Sequence, residues 1–313
     1  MKLDKPITRR ESIQNLMQIG RGIALAGAAS WMSPLSVFAV QKSGFVVEGI
    51  GQSLNYSIND LTRRVFEAAG GINKFVSKGD VVVIKANLSW ASKPEFAATT
   101  NPEVLKAIIE LCQEAGAKKV RIADNTIDDA HQCFSITGAE KIAKITGAEL
   151  VYPRSSLMKR MKIQGNIIDV EWPVFIPLVE NDKIINLPVA KTHILSTLTL
   201  GMKNWIGGVD GNRWMLHNNI HESIVDLSQF FRPTITVIDA IRIMARNGPR
   251  NGNLEDVAEK NTLILSNDPV AADARATLMF NLKPVQIGYI WLGQKWGLGT
   301  YDAEKLVYKK VVV

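Results

Sequence analysis

The segment from Lys78 to Asp124 most constrains what this chain can fold into. A Lys78-Gly79 turn leads into Asp80-Val81-Val82-Val83-Ile84-Lys85. Its β-branched run lacks polar alternation, as expected of a strand buried on both faces of a parallel sheet. Thr100-Asn101-Pro102-Glu103 then predicts a helix start, with Thr100 as cap, Glu103 reaching back and Pro102 tolerated in the first turn. Val104, Leu105, Ile108, Ile109 and Cys112 make one apolar stripe, and Gly116 ends the helix. Lys119-Val120-Arg121-Ile122-Ala123-Asp124 is the next strand. Such a βαβ unit is right-handed and parallel, so the chain is committed to an α/β architecture.

The alternation continues. A helix near Ala139–Ile145 and a strand at Glu149–Tyr152 precede residues 154–178, where basic residues, Gly165, Pro173 and Pro177 interleave with short apolar runs. That stretch predicts an insert of short strands. Lys183–Val189 returns to the main sheet, and His221–Phe231 is an amphipathic helix through Ile224, Leu227 and Phe231. Thr234–Asp239 and Thr262–Ser266 read as strands, Asp268-Pro269 starts a helix to Met279, and Gln286–Lys295 and Lys305–Val313 supply a last helix and strand. The expected fold is α/β, a mostly parallel sheet with helices on both faces, in one domain over residues 40–313. A hydrophobic content of 46% is enough for a full core.

Residues 1–39 stand apart. Thr8-Arg9-Arg10-Glu11-Ser12-Ile13 resembles a twin-arginine export signal. A small-residue apolar stretch from Gly22 to Ala29 follows, and Val37 and Ala39 suit a signal peptidase cutting after Ala39. From Gly22 to Ala39 the stretch is short for a membrane span and contains Pro34. The expectation is a cleaved signal, the twin-arginine machinery as an export partner, a periplasmic location and no stable membrane span afterwards; an uncleaved anchor is the alternative. This stretch holds five basic and two acidic residues, so the whole-chain net charge of +7 falls to +4 without it. With no dense Lys/Arg block and no RNA-reading or zinc-finger motif, a nucleic-acid partner is not expected. A mildly positive pocket for a small anion fits better.

The strands end in polar groups: Lys85-Ala86-Asn87, Asp124-Asn125, Lys191-Thr192-His193, Asp239 and Asn267-Asp268. Open α/β sheets bind ligands at the carboxyl ends of their strands, so these ends predict a site along one edge. Lys203 and Asn204 arrive shortly after Lys191 and His193. Lys85, Lys191 and Lys203 would supply positive charge, with Asn87, Asn204 and Asn247 as further ligand contacts. His193 and His217, with Lys191, are the candidate catalytic residues, because histidine titrates near neutrality. Asp124 or Asp239 would orient a histidine or bind a metal. Gly207-Gly208-Val209-Asp210-Gly211-Asn212-Arg213 is either an anion cradle or a mobile turn, and Arg246-Asn247-Gly248-Pro249 is a turn that could close over the pocket.

His217 and His221 stand at i and i+4, which on a helix is metal-ligand spacing. A third ligand would come from His193 or Asp239, and imidazole favours zinc, nickel or copper over magnesium. Asn218 and Asn219 are poor helix formers, so His217 is expected to matter and His221 to be replaceable. The two cysteines, Cys112 and Cys133, cannot alone ligate a four-iron cluster; Cys112 reads as a buried free thiol rather than half of a disulfide.

Val83-Ile84-Lys85-Ala86-Asn87, Thr100-Asn101-Pro102-Glu103, Ile185-Asn186-Leu187-Pro188 with Lys191-Thr192-His193, Met202-Lys203-Asn204, Val237-Ile238-Asp239-Ala240, Asn247-Gly248-Pro249 and Asp268-Pro269-Val270-Ala271-Ala272-Asp273 run in order along the chain. They resemble the family called domain of unknown function 362. The resemblance implies an α/β fold and delivers no reaction. Many members carry a ferredoxin-like segment with cysteine clusters, which this sequence lacks, so iron–sulfur chemistry is not implied here. A more distant similarity, to nickel-dependent lactate racemases, rests on the strand–helix–strand opening. Two function classes follow: an enzyme acting on a small anionic substrate or holding an anionic cofactor, or a non-catalytic periplasmic ligand-binding or redox accessory protein.

Overall fold

The computed structural model describes residues 44–52, 56–250 and 252–313; residues 1–39, where an export signal is expected, lie outside the described residues. In chain order, β1 (Phe45–Ile50) and α1 (Ile58–Ala68) precede β2 (Val81–Ala86), α2 (Pro102–Glu114) and β3 (Lys119–Ala123). Next come α3 (Ala130–Ile136), α4 (Ala139–Thr146) and β4 (Glu149–Val151). A hairpin of β5 (Met158–Lys162) and β6 (Glu171–Phe175) precedes β7 (Lys183–Leu187), β8 (Val189–His193) and β9 (Thr197–Thr199). Then follow α5 (Ile220–Phe231), β10 (Ile235–Met244), β11 (Val257–Ser266), α6 (Pro269–Thr277), α7 (Gly288–Lys295) and β12 (Val307–Val312).

The main sheet runs β12-β1-β11-β10-β7-β2-β3-β4, with β8 against β10 and β9 against β8. β10, β7, β2, β3 and β4 pair in parallel, while β11 runs antiparallel to both β10 and β1. Alternation along each strand separates two cores. Val82 and Ile84 pack with Leu61, Val65, Leu105 and Ile108 on one face. Val83, Ile184 and Ile238 pack with residues of α5, α6 and α7 on the other. The α/β fold with helices on both faces is therefore as expected.

Three local expectations change. Asn101, not Thr100, caps α2 by accepting from the Glu103 amide at 2.9 Å. Thr100 turns inward instead: its hydroxyl accepts from Asn87 N and donates to Leu187 O, both at 2.8 Å, tying the ends of β2 and β7 together. Pro188, which has no N–H to give a ladder, separates β7 from β8, yet Asp239 N still donates to Pro188 O at 2.9 Å. β10 therefore continues past both segments, and Asp239 lies within this strand rather than at its end. Because β11 is antiparallel, Asn267-Asp268 sits at the opposite edge of the sheet from Asn87 and Asp124. Asp268 caps α6 there through Ala271 N at 2.9 Å and is not part of the polar cluster. The 154–178 insert is the β5–β6 hairpin, anchored by the Asp226 carboxylate of α5, which accepts the amides of Asn166, Ile167 and Ile168.

Candidate functional site

Lys85, Asn87, Asn186 and Lys191 lie at the carboxyl ends of β2 and β7 and on β8, all at most 5% exposed. Buried polar groups must find partners, and these find each other. Asn204 is the hub. Its Oδ1 accepts from Lys85 Nζ and Asn87 Nδ2, each at 3.0 Å. Its Nδ2 donates to Lys85 O at 3.2 Å and Asn186 Oδ1 at 2.9 Å. Lys85 Nζ also meets Asp124 Oδ1 at 2.7 Å, both side chains fully buried. Asp124 Oδ2 accepts Leu88 N at 2.7 Å. Burial pushes the Lys85 ammonium below its ordinary range, against the pull of Asp124.

Gly207 makes this pairing possible. A Cβ there would stand 2.5 Å from Asp124 Oδ1 and 2.8 Å from Lys85 Nζ. Gly208 presses on the Phe231 ring, where a Cβ would come within 2.5 Å. The 3-10 segment Lys203–Gly208 is buried throughout, so these glycines serve close packing rather than a mobile turn. The segment is set in place by Asp273 of α6, whose two oxygens accept Gly201 N at 2.7 Å and Met202 N at 2.9 Å. Burial raises Asp273 to about 7.

Two amines lack a carboxylate. Lys191 Nζ donates to Asn87 Oδ1 at 3.2 Å and to Ala98 O. Lys203 is 8% exposed, and among the described residues its amine has neither an ion pair nor a hydrogen bond. Burial lowers each to about 7, with the charge of Lys203 adding to the effect on Lys191.

The histidines complete the cluster. His193 Nδ1 accepts the amides of Leu195 at 3.1 Å and Ser196 at 3.3 Å. The proton of its neutral ring therefore sits on Nε2. His217 Nδ1 faces Arg213 O at 3.1 Å. A carbonyl only accepts, so His217 carries its proton on Nδ1 and keeps a free lone pair on Nε2. The two rings stack at 6.2 Å, and Trp214 covers the His217 ring at 5.2 Å. Burial first, then Lys203, drive His193 down to about 2 and hold His217 below its usual value. Both rings stay neutral at pH 7: one is a donor, the other a base. An open cleft of about 340 Å³ lies beside Asp124, lined by Asn125, Thr126, His131, Tyr152, Arg154 and Asp210 among others. It contains none of the buried amines or the paired histidines.

Residues 82–277 match the family described as domain of unknown function (DUF362). The chain belongs to this family. A thylakoid-associated protein of Synechocystis sp. is 28% identical over 250 residues, covering 77% of this chain and 76% of the relative. Among solved structures, the lactate racemase apoprotein from Thermoanaerobacterium thermosaccharolyticum aligns with a TM-score of 0.44 and 13% identity. That alignment covers 75% of this chain, which spans 56% of the racemase chain.

In this DUF362 member the cluster unites Lys85, Asn87, Asp124, Lys191, Lys203 and Asn204, with His193 and His217 alongside. Others expected at the site stand apart. Asp239 accepts Asn101 N at 2.7 Å and Ile241 N at 3.1 Å, so it fixes the start of α2 and orients no histidine; burial raises it to about 6. Asn247 donates to Asp256 at 2.9 Å, although the next residue, Gly248, donates to Thr192 Oγ1 at 3.0 Å beside His193.

The paired-histidine metal site is corrected. His217 ends a 3-10 turn while His221 begins α5, so they share no helical face. His221 packs on Gly288 and the Tyr289 ring, whereas His217 stacks with His193 and Trp214. Among the described residues no group of three or more His, Cys, Asp or Glu converges as a metal site. Cys112 and Cys133 are buried free thiols, each pushed by burial up to about 12. Asn186 and Asp273 were missed as site residues. An amide inside the run Ile184-Ile185-Asn186-Leu187 was the available signal for the first; for Asp273 the only signal was its place in the Asp268–Asp273 stretch that carries the family resemblance.

Proposed function

We propose that this chain is an exported enzyme that moves a proton on a small anionic substrate at the carboxyl edge of its sheet. The single observation that carries the reading is the His193–His217 pair, whose backbone contacts leave one ring a donor and the other a free base beside an unpartnered lysine. A general acid and a general base held together in a site short of negative charge suit proton transfer on an anion. Lys191 and Lys203 attract the anion, and a bound negative charge raises both amines back toward the ammonium form. Export is supported by Arg9-Arg10, the small-residue stretch Gly22–Ala29 and Ala39. The thylakoid-associated relative is consistent with work at or beyond a membrane.

The test is hydrogen–deuterium exchange at carbon in a panel of small 2-hydroxy and 2-oxo carboxylates, followed by NMR in D2O, with binding measured by calorimetry. His217→Gln should slow exchange by about 10²–10⁴-fold and leave binding largely intact. Binding without exchange by the wild type would instead favour a non-catalytic ligand carrier, and no binding at all would remove the reading.

A further inference from the structure

We propose that Lys203 is a nucleophile that forms an imine with a small 2-oxo acid, whose carboxylate is taken by Lys191 and Thr199. This rests on the acid–base reading above and names its substrate class. The three buried lysines differ in their surroundings. Lys85 is paired with Asp124 and capped by Asn204. Lys191 is held by two carbonyl oxygens. Among the described residues Lys203 alone of the three has no acceptor, so its lone pair is not committed to a contact there. A desolvated amine next to another cationic group is how lysine becomes reactive toward carbonyl carbon.

The carboxylate position follows from strand register. Lys191 faces Thr199 and His193 faces Thr197 across the β8–β9 ladder, so these four side chains share one face. Thr199 is 4% exposed and, among the described residues, its hydroxyl has no hydrogen-bond partner. A buried hydroxyl without a partner beside an amine without a carboxylate is a pair of donors awaiting an anion.

In the step, the Lys203 Nζ lone pair attacks the carbonyl carbon and the C=O π electrons move to oxygen. His217 Nε2 takes a proton from nitrogen, and His193 Nε2–H donates to the new oxygen. His217 then passes its proton to that oxygen, which leaves as water as the nitrogen lone pair forms the C=N bond. The amine, the oxo acid and one proton drawn from solvent, which restores His193 Nε2–H, thus give a protonated imine and one water, with no oxidant or reductant. The substrate carboxylate balances the new positive charge.

The experiment incubates the purified protein with pyruvate or glyoxylate and sodium cyanoborohydride, then reads intact mass and maps the modified peptide. One reduced adduct on Lys203 is expected, at least about tenfold above any other lysine, and absent in both Lys203→Arg and Lys203→Met proteins. An unmodified wild type, or adducts spread equally over surface lysines and undiminished in Lys203→Met, would overturn the proposal. Calorimetry on the same samples separates the two readings: carboxylate binding without an adduct removes only the imine, whereas loss of both removes the site.

Discussion

Replacing Lys203 with methionine should make this protein more stable. The amine falls from 10.5 to about 7 on folding because burial disfavours its charge. The difference is about 3.5 pKa units, and each unit is worth about 1.4 kcal/mol, so holding the charged amine in the fold costs about 5 kcal/mol. The sign follows from proton counts. Between pH 7 and 10.5 the unfolded chain holds the extra proton, so this cost is fully present below about pH 7 and disappears as pH rises toward 10.5. Methionine keeps most of the apolar stem and removes the charge, for a gain of about 2–5 kcal/mol at pH 7 after packing differences. Lys191 drops to the same value but donates to Asn87 Oδ1 and Ala98 O. Lys191→Met orphans two buried acceptors at about 1–3 kcal/mol each, so its gain should be smaller or reversed. Urea unfolding of the three proteins at about pH 7 and about pH 10 measures this. A less stable Lys203→Met at pH 7, or a gain unchanged at the higher pH, would refute the reasoning.

Asp124→Asn leaves the Lys85 ammonium buried without its counter-charge and should cost about 3–5 kcal/mol in urea unfolding. Gly207→Ala puts a methyl group between Lys85 and Asp124, so a loss of about 1–3 kcal/mol should accompany weakened carboxylate binding by calorimetry. His221→Phe removes a buried ring nitrogen without a partner and should change stability by less than about 1 kcal/mol, with carboxylate binding unaltered. Changing Arg9 and Arg10 both to lysine should trap precursor in the cytoplasm; normal periplasmic accumulation, followed by fractionation and immunoblotting, would contradict the export expectation.

The parallel half of the fold was legible because its signals are local: the unbroken apolar run at Val81–Ile84 and the capped stripe of α2 need only near neighbours. The antiparallel sense of β11 was not. Strand direction depends on how the chain returns, and the segment from Ala245 to Asp256 carries no mark that distinguishes a hairpin-like return from a crossover. That one reversal moved Asn267-Asp268 to the wrong edge. Elements near the start, β1 and α1, also went unread. At the site, strand-end lysines and amides were found by position alone. What their positions could not reveal was pairing: Asp124 with Lys85, Asp239 with the start of α2. The His217–His221 spacing misled because a two-residue break, Asn218-Asn219, separates a 3-10 turn from the α-helix that follows.

Asn204 reaches Asn186 across only 18 residues, but its bonds to β2, and the Lys191–Asn87 bond beside them, are made at long range. Lys85 and Asn204 are 119 residues apart, Asn87 and Asn204 are 117, and Lys191 and Asn87 are 104. Neither the first nor the second half of the chain holds all of these residues, and closing such distant contacts is slow. Occupancy of the site is therefore a report on completion. A ligand gripped by these side chains recognises only the finished sheet and stabilises it by RT ln(1 + [L]/Kd), leaving every partly built form without that support.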